Sequence, residues 1–123
     1  MRALVIDDSR AVRIIIRNIL REIGMEVAEA GNGQEGLDQM KYNPDISLVL
    51  VDWNMPVMNG LEFIQSLRSQ RSYDGVRIMM VTTETESSQV LRALTAGANE
   101  YVMKPFTKDV LVAKLNMLDV FEE

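Results

Sequence analysis

Short apolar runs alternate with amphipathic segments five times along this chain, and that alternation limits the possible folds more than any other feature. The segments that suit strands occupy residues 3–6, 25–30, 46–51, 76–81 and 100–103; the first is fully apolar and the second is a weaker strand. Helical periodicity predicts helices at 11–23, from the turn at 31–33 to about 42, from the loop at 53–60 to about 69, at about 84–96 and at about 107–120. The run 46–51 is the most apolar of the five, which predicts a central strand.

Strands that alternate with helices form right-handed crossovers, which predict a parallel sheet covered by helices on both faces. Five such units in 123 residues fit the doubly wound, flavodoxin-like α/β fold with strand order 2-1-3-4-5. The length suits one domain, so we expect residues 1–123 to form a single domain with no output domain in this chain. In this strand order, ligands bind beyond the carboxyl ends of the first and third strands.

Acidic residues follow those two strands directly. Asp7 and Asp8 come after the first predicted strand, and Asp52 comes after the third. Because neighbouring strands lie about 4.8 Å apart, we expect the three carboxylates to converge. Thr82 ends the fourth strand, and Lys104 ends the fifth with a side chain long enough to cross the remaining gap. The sequence therefore predicts a polar site at one edge of the sheet.

The residue types that the chain lacks narrow the chemistry of this site. The sequence has no cysteine and no histidine, which excludes disulfides, thiolate or imidazole metal sites and histidine acid–base catalysis. Oxygen ligands remain, and these favour Mg²⁺ or Ca²⁺. The net charge of −5 disfavours nucleic acid and anionic membrane surfaces as partners. The sequence shows no signal pattern and no apolar run long enough for membrane insertion, so we expect a cytoplasmic protein.

Three clustered carboxylates repel one another unless a cation intervenes. Their formal charge of about −3 would be cancelled by one Mg²⁺ together with Lys104. An aspartate beside such a metal can act as a nucleophile toward a phosphoryl group and form an aspartyl phosphate. The metal and Lys104 would neutralise the charge on the transferring oxygens, and the Thr82 hydroxyl could donate a hydrogen bond to one of them.

Four motifs in the chain resemble, in order and spacing, those of response-regulator receiver domains. They are Asp7-Asp8, the run Asp52-Trp53-Asn54-Met55-Pro56 with Asn59-Gly60, Thr82, and Lys104-Pro105-Phe106. The resemblance covers essentially the whole chain. The Asp-Trp-Asn-Met-Pro run, and Tyr101 three residues before Lys104, are most similar to the stand-alone chemotaxis (CheY-like) type.

The resemblance implies a role for each matching residue of the site. Asp52 is the expected phosphoacceptor. Asp8 and Asp52, with the backbone carbonyl of Asn54, are the expected Mg²⁺ ligands, and Asp7 would act mainly through a bound water. Lys104 would contact the phosphoryl group, and its peptide bond to the following proline is expected to be cis.

The resemblance also implies a conformational switch and its partners. Thr82 would be drawn toward the phosphate and Tyr101 would turn inward, which reshapes the face of the fourth helix, fifth strand and fifth helix that includes Val90. A downstream protein would bind that face, and a histidine kinase or phosphotransfer protein would supply the phosphoryl group. Asn54 and Glu84 occupy positions that influence hydrolysis of the aspartyl phosphate, and they resemble the faster-decaying chemotaxis pattern. The chain would then be a signalling domain rather than an enzyme, monomeric or dimerising upon phosphorylation.

Three other interpretations use some of the same residues. The run 31–36 matches the G-x-G-x-x-G motif of a dinucleotide-binding fragment, with Asp52 at the distance of a ribose-binding acid. That motif follows the second strand, away from the switch point, and leaves the other acids and the lysine without roles. A phosphohydrolase of the haloacid-dehalogenase type has Asp-x-Asp after its first strand, whereas here Asn54 stands two residues beyond Asp52. The third alternative is a degenerate receiver that serves only as a docking module.

Overall fold

A computed structural model describes residues 1–83 and 87–118 of the chain. Its sheet has five parallel strands in the order β2-β1-β3-β4-β5. The strands are β1 Arg2–Ile6, β2 Glu26–Ala30, β3 Ile46–Asp52, β4 Arg77–Thr82 and β5 Glu100–Met103. The helices are α1 Arg10–Glu22, α2 Gly33–Tyr42, α3 Gly60–Arg68, α4 Ser87–Ala96 and α5 Lys108–Asn116. The predicted doubly wound α/β fold and its strand order are therefore confirmed.

Alternate residues of the central strands face two separate cores. Leu4 of β1 and Val49 of β3 belong to one buried cluster, which contains residues of α2, α3 and α4. Ala3 and Leu48 belong to the other, which contains residues of α1 and α5. Because both faces of the sheet are buried at β1 and β3, these two strands are largely apolar up to the point where the acidic residues begin.

Side-chain caps fix the starts of the helices that follow β1 and the loop after β3. Ser9 caps α1, and its hydroxyl accepts a hydrogen bond from Val12 N at 3.3 Å. Asn59 caps α3 by a reciprocal arrangement: its side chain accepts from Glu62 N at 2.9 Å, and the Glu62 carboxylate accepts from Asn59 N at 3.1 Å. The two caps therefore fix where the β1–α1 and β3–α3 loops end. Asp7 and Asp8 lie in the first of these loops, and Asp52 directly precedes the second.

Most predicted boundaries lie within one residue of the observed ones, and the end of the last helix is the exception. We predicted a helix to about residue 120, but α5 ends at Asn116 and Met117 and Leu118 form a turn. Arg77 Nε donates to the Leu118 carbonyl at 3.1 Å, and this bond holds the chain outside the helical path. Residues 84–86 and 119–120, which we predicted as parts of the last two helices, lie outside the described residues. A short 3₁₀ helix at Arg71–Tyr73 was not predicted.

No helix within the described residues is long and apolar enough to cross a membrane.

The glycines of the run 31–36 have packing roles at the start of α2. A Cβ atom on Gly33 would lie 2.8 Å from the Met58 carbonyl oxygen, to which Gly33 N donates at 3.1 Å. A Cβ atom on Gly36 would lie 2.4 Å from Ile6 Cδ1 and 3.0 Å from Phe63 Cε1. The glycines therefore allow α2 to approach the β3–α3 loop and β1 closely. This packing explains the spacing of the glycines in the run 31–36, and no bound nucleotide is needed to explain it.

Val57, in the loop between β3 and α3, has a left-handed backbone conformation. Its φ is 69°, a region that β-branched residues adopt only at a cost, and its side chain is 81% exposed. We expect Val57→Asn to raise the free energy of unfolding by about 1 kcal/mol, because asparagine enters this region at a lower cost. Urea unfolding measures the change, with the β-branched variant Val57→Ile as control. An asparagine variant no more stable than the parent chain would contradict this account of the loop.

Candidate functional site

The structure brings the three predicted carboxylates together at the switch point of the sheet. β1 and β3 are neighbours with Ile6 paired to Val51, so the acidic residues that follow lie side by side. One carboxylate oxygen from each of Asp7, Asp8 and Asp52 lies within 4.8 Å of the other two. Asp7 and Asp52 are buried, whereas Asp8 is exposed. The predicted convergence is thus observed, with one acid open to solvent and two beneath it.

Asp7 is the most firmly held of the three acids. Its Oδ1 accepts a hydrogen bond from Ser9 N at 2.8 Å, and its Oδ2 accepts one from Lys104 Nζ at 2.8 Å. Its backbone N donates to the Ala30 carbonyl at the end of β2 at 3.1 Å. With both carboxylate oxygens engaged by protein donors, Asp7 is less available as a direct metal ligand than Asp8 or Asp52.

Lys104 reaches the acidic cluster from the end of β5. Its Nζ lies 2.8 Å from Asp7 Oδ2 and 3.5 Å from Asp52 Oδ1. Burial lowers the pKa of Lys104, but the hydrogen bond to Asp7 and the charge of Asp52 outweigh that effect, so its pKa is raised. The ammonium group therefore stays charged between the two acids. The Lys104–Pro105 peptide bond is cis, as the sequence resemblance implied.

Asp52 has the most perturbed carboxyl group of the site. Burial is the largest cause, and together with the negative charge of Asp7 it raises the pKa of Asp52 from 3.8 to about 6. Lys104 lowers this pKa by its charge and its hydrogen bond, while Asp8 raises it slightly. The site therefore penalises the charged form of Asp52 when only Lys104 supplies positive charge.

Thr82 and Asn54 lie at the same edge of the sheet as the acidic residues. Thr82 is buried at the end of β4, beside Met103 in the sheet register, and its carbonyl accepts from Lys104 N at 2.8 Å. Asn54 is exposed, two residues after Asp52 in the β3–α3 loop. Both lie on loops or strand ends at the same edge as the acids, as predicted. Glu84, the second predicted lifetime residue, lies outside the described residues.

The sequence that builds this site matches a known family. The family profile of the response regulator receiver domain matches residues 3–116. The chain belongs to this family. The assignment sets aside the dinucleotide-binding and phosphohydrolase interpretations of the sequence, and it classes the protein as a signalling domain.

The receiver domain is similar to chemotaxis proteins over nearly its whole length. It is 46% identical over 116 residues to a chemotaxis protein CheY homolog of Campylobacter jejuni. The aligned region covers 94% of this chain and 89% of the relative. It is 43% identical over 119 residues to chemotaxis protein CheY1 of Helicobacter pylori, with 96% of each chain covered. A crystal structure of Vibrio cholerae chemotaxis protein CheY4 superposes with a TM-score of 0.89 at 32% identity, covering 95% of this chain and 97% of that one. The protein is a receiver domain of the CheY type.

The acidic cluster of the receiver domain fits a hard divalent cation. Three carboxylate oxygens that converge within 4.8 Å are the donor type that Mg²⁺ prefers. Their formal charge of about −3 exceeds the single charge of Lys104, which leaves about −2 for a divalent ion to neutralise. Burial is the main cause of the raised pKa of Asp52, and the charge of Asp7 adds to it; a bound cation would oppose both effects by stabilising the carboxylate.

The receiver domain also contains contacts at Tyr101 and Trp53 that sequence analysis did not identify. Lys114 Nζ lies 4.4 Å from the centre of the Tyr101 ring and 3.3 Å from Glu100 Oε1. The Arg92 guanidinium lies 5.9 Å from the centre of the Trp53 ring. In the sequence, both cations are ordinary basic residues of amphipathic helices, so no local signal distinguishes them. Val90, predicted for the partner face, is half-buried on α4.

Proposed function

We propose that this receiver domain accepts a phosphoryl group from a histidine kinase or phosphotransfer protein onto Asp52, with Mg²⁺ bound at the acidic cluster. The observation that carries the proposal is the position of Asp52, a buried carboxylate at the switch point with two further acids and Lys104 around it. Asp8, Asp52 and the backbone carbonyl of Asn54 would hold the metal, and Asp7 would act through a bound water. The resemblance of the sequence and the family assignment support these roles.

In the proposed transfer, an oxygen of the Asp52 carboxylate attacks the phosphorus of the donor phosphohistidine. The new O–P bond forms as the P–N bond breaks, and the bonding electron pair stays on the donor's imidazole nitrogen. Bound Mg²⁺ would neutralise charge on the phosphoryl oxygens. Lys104 Nζ, already 3.5 Å from Asp52 Oδ1, would donate to one of those oxygens. With a pKa of about 6, most Asp52 carboxyl groups are ionised at pH 7 and able to attack.

The signal would leave the site through Thr82 and Tyr101. A hydrogen bond to a charged group contributes about 1.5–3 kcal/mol, whereas moving a population from 1:99 to 99:1 takes about 5.5 kcal/mol. Thr82 alone does not supply that difference, so Lys104 must contribute as well. Rotation of Tyr101 would break its contact with Lys114 and so alter the face of α4, β5 and α5. A downstream protein would bind this face, which includes Val90.

The domain would end its own signal by hydrolysis. Water attacks the phosphorus, the O–P bond to Asp52 breaks, and inorganic phosphate and the free carboxylate result. We propose that Asn54 and Glu84 set the rate of this step. The similarity to CheY proteins of nearly the same length supports a stand-alone regulator. We propose that this regulator is cytoplasmic, and monomeric or dimerising upon phosphorylation.

The test of this function is direct modification of the purified chain. Incubation with acetyl phosphate and Mg²⁺ is expected to add the mass of one phosphoryl group, and EDTA is expected to prevent it. Intact-mass spectrometry records the product. If the mass stays unchanged with Mg²⁺ and fresh donor, the alternative function of a docking module takes its place.

Removal of the exposed acid tests the proposed metal ligands. We expect Asp8→Ala to weaken Mg²⁺ affinity by at least about tenfold, because one of the three converging carboxylates is lost. The Asp8 side chain is exposed, so the fold should keep its stability. Titration with Mg²⁺, followed by Trp53 fluorescence, measures the affinity. Asp38→Ala, at an exposed acid on α2, is the control, and an unchanged affinity in Asp8→Ala would remove Asp8 from the ligand set.

A further inference from the structure

We propose that Arg13 is a positioning residue for the metal site and acts by fixing the peptide plane that joins Asp7 to Asp8. Arg13 Nη1 donates a hydrogen bond to the Asp7 backbone carbonyl at 2.6 Å. That carbonyl belongs to the peptide unit from which Asp8 extends. The inference rests on the proposed function, because it concerns the Mg²⁺ affinity of the same acidic cluster.

Arg13 is itself held in place from another strand. Its Nε lies 3.3 Å from Glu29 Oε1 on β2, while its Nη1 reaches Asp7 beyond β1. The Arg13 and Glu29 side chains are only 19% and 29% exposed, so solvent screens their ion pair less than that of a surface pair. A planar guanidinium can engage two acceptors in fixed directions at once, which a lysine ammonium on a flexible stem does less well. Arg13 therefore links α1, β2 and the loop after β1.

Asp8 depends on this link more than Asp7 does. The Asp7 carboxylate is fixed by Ser9 N and by Lys104 Nζ, each at 2.8 Å. Among residues 1–83 and 87–118, by contrast, the exposed Asp8 carboxylate has no hydrogen bond or ion pair to hold it. Its direction therefore follows from the backbone. If the Asp7–Asp8 peptide turned, the Asp8 oxygens would move away from Asp52, and fewer ligands would converge on a cation.

Arg17 offers a matched control on the same helix. Its Nη1 lies 3.3 Å from Glu29 Oε2, so both arginines of α1 pair with the same carboxylate. The two side chains have similar exposures, 19% for Arg13 and 26% for Arg17. The hydrogen bond to Asp7 belongs to Arg13. A comparison of the two arginines therefore separates the positioning contact from the general effect of removing a cation that pairs with Glu29.

The experiment measures the Mg²⁺ affinity of the full chain by Trp53 fluorescence in four proteins: the parent chain, Arg13→Gln, Arg13→Lys and Arg17→Gln. Loss of a group that orients a metal ligand typically costs about tenfold in affinity, so we expect both Arg13 variants to bind Mg²⁺ about tenfold more weakly. We expect Arg17→Gln to stay within about twofold of the parent. Urea unfolding of each protein shows whether stability follows the same order, which the proposal does not require.

Each outcome decides the proposal. Equal Mg²⁺ affinities for Arg13→Gln and Arg17→Gln overturn the proposal. Parental Mg²⁺ affinity in Arg13→Lys also overturns it, because a positive charge at this position would then be sufficient. If Arg13→Gln does not fold, the comparison of Arg13→Lys with Arg17→Gln still decides. A parent chain that binds no Mg²⁺ overturns the proposed function and this inference together. A parent chain that binds Mg²⁺ while the variants match it overturns the inference alone.

Discussion

Asp52→Asn is expected to abolish phosphorylation of the chain, with labelling reduced by at least about a hundredfold. The amide lacks the anionic oxygen that attacks phosphorus, while its size and shape fit the same buried position. Asp7 and Asp8 remain in the variant, but Asp7 is engaged by Ser9 and Lys104 and Asp8 is exposed to solvent. Intact-mass spectrometry after treatment with acetyl phosphate and Mg²⁺ records the loss.

Asp45→Asn is the control for this experiment. Asp45 is a surface acid that pairs with Arg2 at 3.1 Å, at the opposite end of the sheet from the acidic cluster. Its replacement is expected to leave phosphorylation at the parental level. If Asp52→Asn still gains one phosphoryl group, and peptide mapping places that group on Asp7 or Asp8, the assignment of Asp52 as acceptor is wrong.

The same substitution is expected to stabilise the fold above pH 6 when no metal is present. The pKa of Asp52 is about 6 in the folded chain, against 3.8 as its ordinary value, so the folded state binds this proton more tightly than the unfolded state. The stability that Asp52 contributes in its protonated form is present below about pH 4 and lost as the pH rises through about 6. Two pKa units correspond to roughly 2–3 kcal/mol, which Asp52→Asn should regain at pH 7.5.

Urea unfolding of both proteins in EDTA, at pH 7.5 and at pH 4, measures this difference. We expect Asp52→Asn to be more stable than the parent chain at pH 7.5 and the difference to shrink toward zero at pH 4. Mg²⁺ should reduce the gap at pH 7.5, because it stabilises the parent chain by binding to the folded state. If Asp52→Asn is less stable than the parent chain at pH 7.5, the folded protein stabilises the charged Asp52 carboxylate, contrary to this account.

The fold and the convergence of Asp7, Asp8, Asp52 and Lys104 could be predicted because their signals are local. Each strand is a short run rich in apolar residues, and Asp7, Asp8 and Asp52 stand at the carboxyl ends of two of them. The rule that parallel strands bring their carboxyl ends to one edge then places Thr82 and Lys104 beside them. The strand order alone therefore predicts which residues, far apart in the sequence, come together in the fold.

Other features depend on the finished tertiary structure. Arg68 Nη2 donates to the Val76 carbonyl at 2.7 Å and its Nε donates to the Gly97 carbonyl at 3.0 Å, and nothing in the helical pattern of α3 indicates that its guanidinium has these backbone partners. Arg13 is similar, because its partner is a backbone oxygen that becomes its neighbour only once β1 and α1 have packed. The left-handed conformation of Val57 is opposed by its own residue type, so sequence reasoning predicts against it.

The most direct test of the central claim uses the only tryptophan of the chain. Trp53 follows the proposed acceptor and is 9% exposed, so its fluorescence should report changes at the site. We predict one change upon addition of Mg²⁺ and a second upon addition of acetyl phosphate, with the second absent in Asp52→Asn. No response to either addition in the parent chain would contradict the account and leave a receiver fold whose acidic site carries no phosphoryl chemistry.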